Sequence, residues 1–311
     1  MGQMELENHT MVTEFILLGL TSQPDEQRIL FATCLLMFLA TILGNVLIIA
    51  LIWADSRLHT PMYFVISNLS LLDICFTLAT VPKMLANMLS ERKSISFASC
   101  AAQLCFTLCC GITECFILAL MAFDRYVAIC RPLHYLLIMN RRICGIMIMS
   151  CWAGGFFGAA VLTGVTFSFP YCGPNHVEHF FCEQPAVLQL VCVDTSSVEV
   201  LIFALSVVVL MLPFFFILAS YIAIAGAVLS MSSAAGRHRA FSTCSSHLTV
   251  VTMFYSTISF TYLRPQATQS REQEKKVAIF YSIVSPMLNP VIYSFRNKDV
   301  KGALAKVLGK N

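Results

Sequence analysis

The chain has 311 residues, of which 58% are apolar and 12% charged, with a formal net charge of +3. A soluble domain carries roughly 25% charged residues, so this composition argues against a soluble domain and for a membrane protein. The net charge is too small to suggest a nucleic-acid partner, and none is expected.

Crossing the hydrocarbon core takes about 20 mostly apolar residues per helix. Seven stretches qualify, at 28–54, 60–86, 97–125, 143–169, 198–230, 240–263 and 277–295. The first and the last four hold no Asp, Glu, Lys or Arg between their flanks. The second holds Asp73 and, near its end, Lys83, and the third holds Glu114 before Asp124. The chain therefore reads as an all-α membrane protein, a seven-helix bundle over 28–295. It is flanked by an outer segment, 1–27, and a cytoplasmic tail, 296–311. The first apolar run reads as an uncleaved anchor, because no small-residue cleavage site follows a short core.

Lys and Arg set the orientation. An outer N-terminus puts twelve basic residues against three acids inside, and eight against twelve outside. The topology is therefore N-out, C-in. Asn8-His9-Thr10 then becomes an outer glycosylation sequon, whereas Asn68-Leu69-Ser70 falls mid-helix and is discounted.

The longest connection, about 170–197, is an outer loop. Of 14 cysteines, Cys100, Cys172, Cys182 and Cys192 lie on or near the outer face. Four cysteines allow three pairings, and spacing does not choose between them. Beyond the last span, Val300, Leu304, Val307 and Leu308 fall at helical spacing among Lys301, Lys306 and Lys310. This pattern suits a short amphipathic helix on the inner leaflet of the lipid membrane.

Charged and kink-forming residues inside the spans carry the chemistry. Asp124-Arg125-Tyr126 closes the third span at its inner face, where a charge cluster can repack between two states. Pro290, in Asn289-Pro290-Val291-Ile292-Tyr293, removes a backbone donor and leaves carbonyls for Asn289 or water to satisfy. Tyr221 and Tyr293 both lie near the inner face, where they could meet through water on activation. Asp73 and Glu114 reach similar depth, and buried carboxylates require a partner, a proton or a cation.

Six motifs recur in order along the chain: Gly44-Asn45, Pro61-Met62-Tyr63-Phe64, Met121 through Tyr135 with Pro132-Leu133-His134-Tyr135, Ser220-Tyr221, Ala240 through Leu248, and Pro286 through Asn297. Together they resemble the olfactory receptors, tetrapod type, within the rhodopsin-like G-protein-coupled receptors. Departures are small; Ser256 follows Phe254-Tyr255 where the family usually has Gly, and is expected to touch the pocket floor.

The resemblance implies Cys100–Cys182 and Cys172–Cys192 disulfides. It implies a G-protein switch built from Asp124, Arg125, Tyr126, Tyr221, Asn289, Pro290 and Tyr293. No cofactor is required, but a sodium or other cation could sit at Asp73 and Glu114, near Asn45, Asn289 and Ser70. The implied ligand pocket uses Thr107, Leu108, Gly111 and Ile112 on the third helix and Leu205, Ser206 and Val209 on the fifth. Tyr255, Ile258, Ser259 and Tyr262 follow on the sixth, with Ile279 and Ser282 on the seventh. This set carries no charge and suits a small, neutral, volatile-like odorant. At roughly 25 cal/mol per Å² of buried apolar surface, such a ligand binds on the order of micromolar.

The implied partner is a heterotrimeric stimulatory G protein that raises cyclic AMP, and the implied location is the plasma membrane of olfactory cilia. His179-Phe180-Phe181-Cys182-Glu183 also resembles a spacing proposed for copper in this family. A disulfide at Cys182 removes that thiolate, so His176 and His179 read as solvated loop histidines. A non-nasal chemoreceptor of the same fold is the nearest alternative. A cation transporter using Asp73 and Glu114 is disfavoured by the odd helix count and the absence of an inverted repeat. The seventh span has no lysine for a retinal Schiff base, and no nucleophile, base and orienter recur as an enzyme would need.

Overall fold

A computed structural model describes residues 12–21, 23–172, 175–263, 271–295 and 298–307. Eight helices dominate it: α1 (Pro24–Ala54), α2 (Pro61–Leu89), α3 (Phe97–Cys130), α4 (Arg141–Phe167), α5 (Ser196–Ser230) and α6 (Ala234–Tyr262). The seventh, α7, runs continuously through Arg271–Ile279, a wide π-helical turn at Phe280–Val284, and Ser285–Phe295. The short α8 (Lys298–Val307) follows. Asn8, Leu308 and Lys310 lie outside the described residues.

Local chemistry sets the helix starts. Pro24 and Pro61 occupy the first turns of α1 and α2, where a missing N–H costs nothing. Ser96 and Asn140 cap α3 and α4 by accepting from the Ser99 and Ile143 N–H groups, at 3.2 and 3.0 Å. The helix ends differ from the predicted spans by no more than six residues: α6 and α7 start six residues earlier, whereas α2 starts one residue later and α4 ends two earlier. The difference that matters is at α3, which continues to Cys130. Asp124-Arg125-Tyr126 therefore lies within its last two turns and not at its end.

Six of the seven long helices are apolar enough to cross a membrane by length and composition. The remaining one, α6, is diluted by Ser and Thr. Its hydroxyls turn back on their own helix: Thr249, Thr252 and Thr257 donate to carbonyls four residues earlier at 2.8–2.9 Å. A polar side chain bonded this way is tolerated in lipid. Leu36, Leu43, Phe157 and Leu212 point outward, each more than two-thirds exposed, as a lipid-facing surface requires. The sealed core instead surrounds α3, where Ile117, Leu118 and Ala122 are fully buried. The tail helix α8 tucks Val300 and Ala303 into the inner end of this core.

The outer face holds a small sheet that the hydropathy pattern does not announce. β1 (Glu14–Leu17) is its centre, antiparallel to β2 (Ser94–Ser96) and parallel to β3 (His176–Val177). Phe15 and Leu17 are fully buried beneath it. Strands this short carry too few residues to display an alternating pattern.

The tightest helix contact is α3 against α4. A Cβ at Gly155 would lie 1.9 Å from Thr113 Oγ1 and 2.9 Å from the Cys109 carbonyl, whereas a Cβ at Gly145 meets nothing within 4 Å. Gly155→Ala is expected to destabilise the bundle by about 1–3 kcal/mol and to lower the melting midpoint of detergent-purified protein. Gly145→Ala should leave it unchanged. Equal midpoints for the two variants would remove the close approach from this account.

Candidate functional site

The second outer loop is drawn down onto α3. Cys182 is bonded to Cys100 near the top of that helix, with Cα atoms 5.5 Å apart. One turn below, Gln103 accepts the Cys182 N–H at 2.8 Å and donates to the Ala79 carbonyl of α2 at 2.7 Å. A second bond, Cys172–Cys192, closes the outer part of the loop. Both pairs are those the resemblance implied. A short helix, Gln184–Leu188, follows Cys182, and its Gln184 joins Phe181 and Glu183 in lining the cavity below, which makes this segment a lid. Gln184 is fixed there by a 2.9 Å bond from its Nε2 to Thr166 of α4.

Beneath the lid a cavity of about 70 Å³ opens between α3, α5, α6 and α7. Thr107, Leu108, Gly111, Ile112, Ser206, Val209, Ile258 and Tyr262 line it, all from the predicted set. The other predicted positions sit elsewhere. Leu205 is 37% exposed on the outer surface of α5. Tyr255 packs against Phe214 with ring centroids 5.2 Å apart. Ile279 joins the cluster around Phe180 and Phe181. Ser282 is buried and donates to its own helix at Ala278, 2.5 Å away. Ser259 does not reach the lining, and Ser256 is exposed, away from the cavity floor.

The lining also includes residues the sequence reading missed: Phe76, Phe181, Glu183, Gln184, Phe254 and Tyr281. Glu183 changes the character of the site, since the pocket was expected to be uncharged. It is buried, accepts a short hydrogen bond from the Tyr281 hydroxyl, and is also bonded by Tyr262. The π-helical turn of α7 carries Tyr281.

His179 is likewise buried, at 2% exposure, and is not the solvated histidine expected. The Phe181 N–H approaches its Nδ1 at 3.5 Å, and its Nε2 lies 3.1 Å from Glu183 Oε2. The ring stacks on Phe180 at 4.6 Å. With Cys182 in a disulfide, no cluster of three His, Cys, Asp or Glu suited to a metal occurs among the described residues.

Farther down the bundle, Asn289 donates to both oxygens of buried Asp73, at 3.0 and 3.2 Å. Asn45 serves the kink in α7. Pro290 has no N–H to offer the carbonyl four residues earlier, and Asn45 Nδ2 donates to that Pro286 carbonyl at 3.1 Å. Asn45 thus does what Asn289 or water was expected to do. A Cβ at the adjacent Gly44 would lie 3.4 Å from the Pro290 ring, within ordinary van der Waals contact, so α1 and α7 pack closely at this point. Glu114 is half-buried and near enough to Asp73 for the two to interact as charges.

At the inner end Asp124 does not pair with Arg125. It accepts from the Tyr135 hydroxyl at 2.7 Å, which ties the Pro132-Leu133-His134-Tyr135 segment to α3. Arg125 is buried with its Nε lacking a hydrogen-bond partner. Tyr221 meets His247 and not Tyr293, its hydroxyl 2.7 Å from Nδ1. His247 Nε2 lies 3.1 Å from the Leu118 carbonyl, so this fully buried ring joins α3, α5 and α6. Tyr293 instead contacts Met121 Sδ at 3.8 Å.

The lid pair has a pH signature. Burial pushes the Glu183 carboxyl up to about 7, and burial with nearby Lys275 pushes His179 down to about 3. The folded lid holds the Glu183 proton more tightly than an unfolded loop does. This contribution to stability is full below the unfolded value of roughly 4.3 and is lost as pH rises through the folded value. The His179 contribution has the opposite sign: it is full above roughly 6.5 and is lost as pH falls towards the depressed folded value. Glu183→Gln removes the first and keeps the second. From pH 5.5 to 7.5, the melting midpoint of Glu183→Gln is expected to rise relative to wild type by about 2 °C or more. A difference that does not change with pH would contradict the burial of an ionisable Glu183.

The olfactory receptor family model matches residues 33–311. Human olfactory receptor 10A7 is 51% identical over 97% of this chain and 96% of its own length. Mouse olfactory receptor 5AR1 is 48% identical over 99% of both chains, and the canine olfactory receptor-like protein OLF3 is 49% identical over 97% and 96%. With seven bundled helices and these relatives, the protein is a multi-pass membrane receptor and not an enzyme, and the chain belongs to the olfactory receptor family.

Proposed function

We propose that this receptor binds a small neutral odorant in the cavity under the lid and activates a stimulatory G protein, raising cyclic AMP from the plasma membrane. The observation that carries the reading is the cavity itself, lined on one side by a disulfide-pinned loop and walled mainly by apolar side chains. Such a site holds a small ligand by burial and orients it with few polar groups. Its long wall is α3, whose inner turns carry Asp124-Arg125-Tyr126. A ligand that shifts α3, α5 and α6 bears on the Tyr221–His247–Leu118 junction below it. Arg125 lies beside that junction, where its charge reaches both Tyr221 and His247. In this reading Arg125 receives the G protein, Asp124 and Tyr126 hold its surroundings, and Asn289, Pro290 and Tyr293 give α7 its second packing.

The reading extends to a cation at Asp73 and Glu114. The two acids lie near each other, and the buried Asn45 and Asn289 Oδ1 atoms have no hydrogen-bond partner. Two neighbouring carboxyls, one of them held by Asn289, suit a hard monovalent cation, which would neutralise their mutual repulsion.

Cells displaying the receptor should give a saturable cyclic-AMP response, in the micromolar range, to at least one member of a chemically broad odorant panel. Arg125→Ala at equal surface level should lower that response more than tenfold. No response from well-displayed receptor, together with ligand-independent ion flux, would overturn the reading. Purified receptor should melt higher in sodium than in choline, and Glu114→Gln should erase the difference. Sodium-independent melting of the wild type would remove the cation.

A further inference from the structure

Glu183 is the one carboxyl among the residues lining the cavity, and no Lys, Arg or His lines it. It reaches that place because its neighbour Cys182 is fixed to α3. Two hydroxyls, from Tyr281 and Tyr262, donate to it, and His179 Nε2 lies 3.1 Å from its second oxygen. A carboxylate offers about four lone-pair positions. The protein supplies three neighbours, and Glu183 itself lines the cavity. Among the other polar lining groups, the Thr107 hydroxyl donates to the Leu104 carbonyl at 3.0 Å and the Gln184 Nε2 donates to Thr166, while Ser206 offers a neutral hydroxyl, a weaker acceptor than a carboxylate.

We propose that Glu183 is the specificity-determining residue of the odorant pocket and selects small aliphatic alcohols, accepting a hydrogen bond from the ligand hydroxyl. The hydrocarbon chain then runs down α3 against Leu108, Ile112 and Val209. With Glu183 ionised, a ketone or ester of the same size brings only acceptors to an acceptor, and a hydrocarbon leaves the last position empty, so both bind less well. This inference rests on the reading of the cavity as the ligand site.

The test uses full-length receptor in cells, with surface labelling, and matched series of alcohols, methyl ketones and alkanes. Wild type should respond to alcohols at tenfold or more lower concentration than to the ketones. Glu183→Gln should narrow that ratio by tenfold or more while moving the ketone response less than threefold. If Glu183→Gln is not displayed, Glu183→Asp, which retracts the acceptor by one methylene, should weaken alcohols tenfold and spare ketones. An alcohol-to-ketone ratio that survives Glu183→Gln, or equal losses for both ligands in Glu183→Asp, overturns the proposal. Val209→Phe separates the two levels. It fills the cavity and should abolish every response; a full response in that variant refutes the cavity as the site, whatever Glu183 does.

Discussion

The descent of the second outer loop onto α3 determines what the site contains. The Cys100–Cys182 bond alone would tether the loop, but Gln103 makes the attachment directional. Its carbonyl oxygen takes the Cys182 N–H and its amide reaches Ala79, so one side chain joins lid, α3 and α2. With Cys182 held this way, Phe181, Glu183 and Gln184 face inward and become cavity wall. Phe180 and His179, also buried, pack behind them. The N-terminal strand β1 completes the arrangement by pairing with β2 before α3 and with β3 in the loop.

Below the lid, most polar groups are satisfied within the bundle, as lipid requires. Many Thr and Ser hydroxyls return to their own helices. Asn45 supplies the donor that Pro290 withholds from the Pro286 carbonyl. Asp73 is served by Asn289, and Asp124 by Tyr135. Among the described residues, the buried side-chain atoms without a hydrogen-bond partner below the lid include the oxygens of Asn45 and Asn289 and the Nε of Arg125, together with groups on Thr77, Asn87, Thr113, Thr163 and Tyr255. Asn289, which holds Asp73, and Arg125 belong to the proposed cation site and the proposed switch.

Much of the fold was legible because a membrane makes composition speak plainly. Long apolar runs fixed seven spans to within a few residues, and Lys and Arg fixed their direction. The face of each helix was less legible. On α5, apolar residues surround the whole helix, so no periodicity separates Leu205, which faces lipid, from Ser206, which faces the cavity. The lid was illegible for another reason. Glu183 and His179 look like ordinary polar loop residues, and only the depth to which Cys182 is pulled shows that they are buried. A disulfide predicted at Cys182 was the available signal, since its neighbour must then follow it inward. Tyr135 and His247 lay inside recognised motifs, but their partners Asp124, Tyr221 and Leu118 are set by tertiary packing.

In the proposed mechanism, a ligand under the lid alters the junction where His247 holds α6 against α3 and α5, which stands between the cavity and Arg125. Double electron–electron resonance between labels on the inner ends of α3 and α6, in purified full-length receptor, measures it directly. Saturating agonist should lengthen that distance by several ångströms, and His247→Phe should lengthen it without ligand. A distance that stays fixed in both cases, while calorimetry shows the agonist bound, would contradict the account.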